Sequence, residues 1–294
     1  MTEQRRADGS LRHLLTLESL SRIEIESLLE RSQHYVRALG QAAPRESALA
    51  GITVANLFTE PSTRTRVSFE LAAKRLGAEV VNLEVQLSSR AKGESMLDTV
   101  FTLEALHVDV FVIRDAEAGV PGLVAEHVAP HVSVLSAGEA HLSHPTQGLL
   151  DALTVLQHKG RFDSLTVAIV GDIRHSRVAR SAAQVMGTLG VRELRIVAPP
   201  ALMPEAGEFP RCARFVRLED GLAGADVVMM LRIQRERFAN ADVPAGEDYF
   251  LQYGLTSQRL ALARPDAIVM HPQPMNRGVE IASDVADGDR KSVV

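Results

Sequence analysis

Short runs of apolar residues alternate with longer stretches in which apolar positions recur every three to four residues. The runs at 52–57, 79–83, 108–113 and 132–135 read as strands, and those at 165–170, 193–197, 214–216, 227–231 and 267–270 repeat the pattern in the second half. Runs this continuous predict strands buried on both faces, hence a parallel sheet covered by helices in each half. The expected fold class is α/β, with two doubly wound domains over residues 1–150 and 151–294. The joint falls in a helix over 144–158, where Pro145 fits the first helical position, Leu149, Leu153 and Leu156 form a stripe, and Gly160 ends it.

Residues 58–77 place hydroxyls and guanidinium groups at the mouth of one predicted helix. A strand leads in, Pro61 and Ser62 mark the turn, Phe69, Ala72, Ala73 and Leu76 share one helical face, and Gly77 stops the helix. Ser62, Thr63 and Thr65 with Arg64 and Arg66 are more than a helix cap needs. Arginine in a first turn also opposes the helix dipole unless an anion compensates it, so the segment reads as a phosphate-sized anion site.

Further polar residues follow strands, where open parallel sheets bind ligands. Arg114 follows Val-Phe-Val-Ile, His144 and Gln147 open the joining helix, Arg177 lies in the loop-to-helix step after Ala-Ile-Val-Gly-Asp, Arg232 and Gln234 follow Val-Val-Met-Met-Leu, and His271-Pro272-Gln273-Pro274 follows Ala-Ile-Val-Met. Alone, an Arg at a strand end is most often a surface ion pair and a His at a helix start most often a cap; their common placement points to a site. The segment 169–178 begins as a dinucleotide fingerprint but lacks its second and third glycines, with Arg174, His175 and Arg177 in the turn instead. That suits a carboxylate or phosphate on a small ligand better than a nicotinamide cofactor. Residues 87–95 read, by composition, as a solvated loop.

Composition narrows the class. With 294 residues, 46% hydrophobic and 23% charged, the chain is globular and able to bury two cores. A net charge of −5 gives no general attraction to nucleic acid or to an anionic membrane. The single cysteine, Cys212, excludes an internal disulfide and a thiol-based zinc cluster and suits a reducing cytoplasm. No leader and no stretch of membrane-spanning length is read in the chain. No metal and no cofactor is expected.

Taken together the motifs resemble the aspartate/ornithine carbamoyltransferase family, and its aspartate branch most closely, from about residue 14 to residue 287. The resemblance rests on Ser62-Thr63-Arg64-Thr65-Arg66, Lys92-Gly93-Glu94, His144-Pro145-Thr146-Gln147, Gly171-Asp172 with Ser176-Arg177, Leu231-Arg232-Ile233-Gln234 and His271-Pro272-Gln273-Pro274. It implies transfer of a carbamoyl group from carbamoyl phosphate to the amino group of L-aspartate, the committed step towards pyrimidines, in a cleft between the two domains. By analogy Ser62, Thr63, Arg64 and Thr65 hold the phosphate, Arg114, His144 and Gln147 the carbamoyl end, and Arg177, Arg232 and Gln234 the aspartate. Ser88 and Lys92 would reach into a neighbouring chain's site, where Lys92 also meets aspartate, and Pro272 and Gln273 would offer backbone carbonyls. Arg64, Thr65, Lys92, Arg114 and His144 are the expected catalytic set. A cytoplasmic homotrimer is implied, open to incorporation in a larger assembly with a regulatory or dihydroorotase-like subunit.

The ornithine branch typically carries a His-Cys-Leu-Pro segment late in the chain, which this sequence lacks, and Arg232 suits a second carboxylate where a cationic acceptor would want none. The alternative of another class is a non-catalytic, carbamoyltransferase-like scaffold in a pyrimidine-pathway complex. Two departures stand out. Gly138-Glu139-Ala140 replaces the family's usual Gly-Asp-Gly, which would strain Ala140 if its φ is positive. The chain also stops where relatives usually continue into a final helix, which leads one to expect lower stability and looser coupling.

Overall fold

A computed structural model describes residues 4–38, 40–84, 95–233 and 246–293. The chain divides into two compact units, Met1–Ser19 with Glu30–Thr146, and Leu20–Leu29 with Gln147–Val294. Helix α1 (Arg22–Gln33), which buries Ile25 and Leu29, runs from the second unit into the first.

The first unit holds a four-stranded parallel sheet. Its strands are β1 (Thr53–Phe58), β2 (Glu79–Glu84), β3 (Val110–Asp115) and β4 (Ser133–Glu139), in the order β2-β1-β3-β4. Helices α2 (Thr63–Arg75), α3 (Met96–Ala105) and α4 (Val120–His127) supply the crossovers. Both faces of the sheet are covered, as near-continuous apolar strands require. Ala55, Leu57, Phe111, Ile113 and Val134 pack with Met96 and Val100 of α3 and Val120 and Val124 of α4, while Val54, Phe58, Val112 and Ala137 pack with Ala73 of α2.

On α2 the expected apolar face is narrower than its spacing suggested. Ala73 is buried, Phe69 and Leu76 are half-buried, and Ala72 is exposed. Strand β4 runs four residues beyond the expected 132–135, through Ser136, Ala137 and Gly138. These residues have weak strand propensity; Ser136 and Glu139 pair with Ile113 and Asp115 of β3, across an irregularity that leaves Ala137 and Gly138 without register partners. The N-terminal segment continues this edge. Leu14 donates to the Val134 carbonyl at 2.9 Å and His13 Nδ1 accepts from the Val134 amide at 2.9 Å. The Arg12 guanidinium donates to the carbonyls of Val128, Ala129 and Val132.

Helix α5 (Pro145–Lys159) leads into the second unit, and Gly160 follows it with φ +72°. Here too the buried stripe differs: Ala152 and Val155 are buried together with Asp151, while Leu149, Leu153 and Leu156 are half-buried. The second sheet contains β5 (Thr166–Val170), β6 (Glu193–Val197), β7 (Cys212–Phe215), β8 (Val227–Met230), β9 (Ile268–His271) and β10 (Lys291–Val293). All pair in parallel, in the order β10-β9-β8-β5-β6-β7. Strand β10 was not expected, since Lys291-Ser292-Val293 has no apolar run of its own. Helices α6 (Arg177–Thr188), α7 (Leu218–Leu222), α8 (Gly246–Tyr253), α9 (Ser257–Leu260) and α10 (Ser283–Ala286) complete the unit. Among the described residues no helix is long and apolar enough to cross a membrane.

Candidate active site

In each sheet the strand order reverses once, between β1 and β3 in the first and between β5 and β8 in the second. Such switch points open a crevice beyond the carboxyl ends of the strands. The expected site residues follow those four strands: Ser62–Arg66 after β1, Arg114 at the end of β3, Arg177 after β5 and Arg232 after β8.

In the first unit Ser62 is the N-cap of α2, yet its side chain caps no amide. Its hydroxyl instead donates to Thr65 Oγ1 at 2.9 Å. The first-turn amides of any helix lack intrahelical acceptors, so this end remains polar and electropositive. Arg64 is exposed and makes no ion pair among the described residues, whereas Arg66 is half-buried. Arg114 Nη1 donates to the Ala137 carbonyl at 3.1 Å and its Nε lies 3.3 Å from Glu60 Oε2. The Thr59 amide and hydroxyl both donate to the Arg114 carbonyl, tying the ends of β1 and β3 together. Thus Glu60, directly beside the Ser62 motif, holds the guanidinium at the carboxyl edge.

After β4 the chain makes a tight reversal in which Glu139 and Ser143 pair and Ala140 takes φ +42°. The positive angle anticipated for that position is therefore adopted by an alanine. The Ser143 hydroxyl donates to the Leu15 carbonyl, and His144, 7% exposed, leads into α5. Gln147, in the first turn of that helix, donates through Nε2 to Asp151 Oδ1 at 3.0 Å.

In the second unit Ser176 caps α6 by accepting from the Ala179 amide, and Arg177 is only 6% exposed in the first turn. Ahead of it Asp172, fully buried, accepts from the amide and the Nδ1 of His175. Gly171 has φ +132°, and a Cβ there would lie 2.7 Å from the Leu231 carbonyl oxygen, so only glycine lets β5 end this close to the segment carrying Arg232. Arg232 is half-buried. His271 Nδ1 accepts from the Gln273 amide at 2.9 Å, which leaves Nε2 as the N–H facing Glu280 Oε1 at 3.3 Å. Glu280, with no exposed surface, also accepts from the Asn276 amide. This buried pair shapes the turn at Pro272 and Gln273, where Gln273 has φ +58°. Ser88, Lys92 and Gln234 lie outside the described residues. Among the described residues no group of three or more His, Cys, Asp or Glu could hold a metal ion.

Residues that sequence reasoning passed over are Glu60, Asp151 and Glu280, while Asp172 lay within the Gly171-Asp172 motif but was given no role. Asp151 was within reach, because four residues from Gln147 is one helical turn. Glu280 carries no local signal: it meets His271 only through the fold.

Two sequence-family matches cover nearly all of the chain. Residues 12–157 match the carbamoyl-P binding domain, and residues 163–294 the Asp/Orn binding domain, of aspartate/ornithine carbamoyltransferase. The chain belongs to this family. Among solved structures, aspartate transcarbamoylase from Trypanosoma cruzi in complex with carbamoyl phosphate and aspartate is 30% identical, with a TM-score of 0.83 over 95% of this chain and 90% of that one. The same enzyme with N-(phosphonacetyl)-L-aspartic acid is 29% identical, with a TM-score of 0.82 over 98% and 91%. Ornithine carbamoyltransferase from Thermus thermophilus is 25% identical, with a TM-score of 0.81 over 96% and 92%. This carbamoyltransferase therefore has the two-domain transcarbamoylase fold, and its chemistry is carbamoyl transfer from carbamoyl phosphate to aspartate or ornithine.

Proposed function

We propose that the acceptor is L-aspartate, so that the chain makes N-carbamoyl-L-aspartate and phosphate as the committed step of pyrimidine synthesis. The observation that carries this reading is the pair of arginines in the Asp/Orn binding domain, Arg177 and Arg232, each placed after a strand that flanks the switch point. Two guanidinium groups suit the two carboxylates of aspartate, and a cationic acceptor would be repelled by them. Gln234 completes the aspartate set, and the Pro272 and Gln273 carbonyls offer acceptors for the attacking amine.

In this reading Ser62, Thr63, Arg64 and Thr65 with the α2 terminus bind the phosphate, while Arg114, His144 and Gln147 bind the carbamoyl group. Amine attack builds negative charge on the carbamoyl oxygen, where the Thr65 hydroxyl, the Arg114 guanidinium and a His144 N–H act as donors whose bonds strengthen in the transition state. Arg64 offsets charge on the departing phosphate. Ser88 and Lys92, supplied by a neighbouring subunit of a homotrimer, close the set. Positioning of two bound substrates supplies much of the rate.

The test is turnover of carbamoyl phosphate with aspartate and with ornithine, without added metal or nucleotide. Carbamoyl-aspartate formation with no citrulline is expected. Citrulline formation would overturn the acceptor assignment, and no product from either amine would favour a scaffold role.

A further inference from the structure

We infer that Asp151 fixes which end of the Gln147 amide is offered to the carbamoyl group, an inference that rests on the carbamoyl phosphate reading of the preceding section. Gln147 and Asp151 stand one turn apart on the same face of α5. The Gln147 Nε2 donates to Asp151 Oδ1 at 3.0 Å. Asp151 is 1% exposed, and its Oδ2 has no hydrogen-bond partner among the described residues. Burial pushes this carboxyl up to about 7, against the opposing effect of the Gln147 hydrogen bond.

A buried carboxyl with one partner is costly, and an apolar residue would fill the position at less expense. What an apolar residue could not do is orient an amide. A carboxylate only accepts, and a neutral carboxyl still accepts at Oδ1 when its proton sits on the partnerless Oδ2. The Gln147 nitrogen is therefore turned towards Asp151, which leaves Oε1 as the other end of this half-buried side chain. A carbamoyl group carries an NH2 that must be accepted. With the amide turned the other way, two donors would face each other. Asp151 is thus a positioning residue, acting through Gln147.

The experiment titrates the full chain calorimetrically with two inert phosphonates, phosphonoacetamide and acetonylphosphonate, which differ only in NH2 against CH3. The wild-type chain should prefer the amide by about tenfold, the effect of one hydrogen bond whose loss leaves the Gln147 acceptor unpaired against the ligand. Asp151→Leu, which fills the same space, should bring that preference to within about twofold while leaving acetonylphosphonate affinity unchanged. Asp151→Ala should do the same, so that the test survives if one variant does not fold. In a Gln147→Ala background Asp151→Leu should have no further effect on the ratio. A wild-type ratio retained in the folded variants, or an equal loss of both ligands, would overturn the inference. Failure of the wild-type chain to bind either compound would overturn the carbamoyl phosphate reading itself and the inference with it.

Discussion

The Nδ1 of His13 accepts a hydrogen bond from the Val134 amide, joining residues 121 positions apart in the chain. Only the unprotonated nitrogen can accept. Burial, then the charges of Arg12 and Arg6, hold this imidazole down at about 4 instead of 6.5. The unfolded chain therefore binds a proton that the folded chain refuses. The contribution to stability is fully present above pH 6.5 and is lost as the pH falls towards 4. Urea unfolding of the wild-type chain should show this acid limb, and His13→Gln should show a shallower one. An unchanged slope in the variant would remove His13 from the account.

Asp151 should act with the opposite sign. Its folded value of about 7 lies above the ordinary 3.8, so its contribution is present below pH 3.8 and is lost as the pH rises through 7. Asp151→Asn removes the cost of ionisation. Relative to the wild-type chain it should gain stability as the pH goes from 4 to 8, by up to about 4 kcal/mol for a shift of this size. A constant difference between the two chains across that range would mean that the carboxyl is ionised throughout.

Ala140 holds a left-handed backbone, φ +42°, in the reversal before His144. A side chain in this region costs about 1–2 kcal/mol, partly offset by the greater entropy that glycine loses on folding. Ala140→Gly should raise the thermal midpoint by about 2 °C. A lower midpoint would show that the methyl group makes compensating contacts.

Arg64→Ala should weaken carbamoyl phosphate use far more than Arg66→Ala. The loss of a charge-assisted phosphate contact costs about 2–5 kcal/mol, whereas a side chain with only structural neighbours should leave the KM for carbamoyl phosphate near its original value. Steady-state kinetics on both variants decide this, and equal, small losses would overturn the assigned roles.

The two-sheet fold was legible because buried parallel strands are continuous apolar runs. Nine of the strands coincide with such runs to within a few residues, and the motif residues fall after them. What was hidden depended on tertiary pairing. Strand β10 exists because β9 presents a free edge to it, and the extension of β4 to Glu139 exists because β3 pairs with Ser136 and Glu139. The same holds at the site. Ser62 and Arg114 announce themselves by residue type and position, but the Glu60 partner of Arg114 and the Glu280 partner of His271 become visible only when separate segments meet. The α2 stripe was narrowed and the α5 stripe displaced by one position because helical spacing defines a face without defining which edge of it the sheet covers.

The clearance between Gly171 and the Leu231 carbonyl constrains how such a protein can diverge. A methyl group at 171 would strike backbone, which cannot swing aside as the end of a long side chain would. Residue 232 follows that carbonyl directly, so its starting point relative to the end of β5 is inherited as a fixed dimension. On the proposed reading, in which Arg232 meets the acceptor, new acceptor preferences would arise by exchanging the side chain at 232, while the distance from which it reaches is closed to gradual variation at 171.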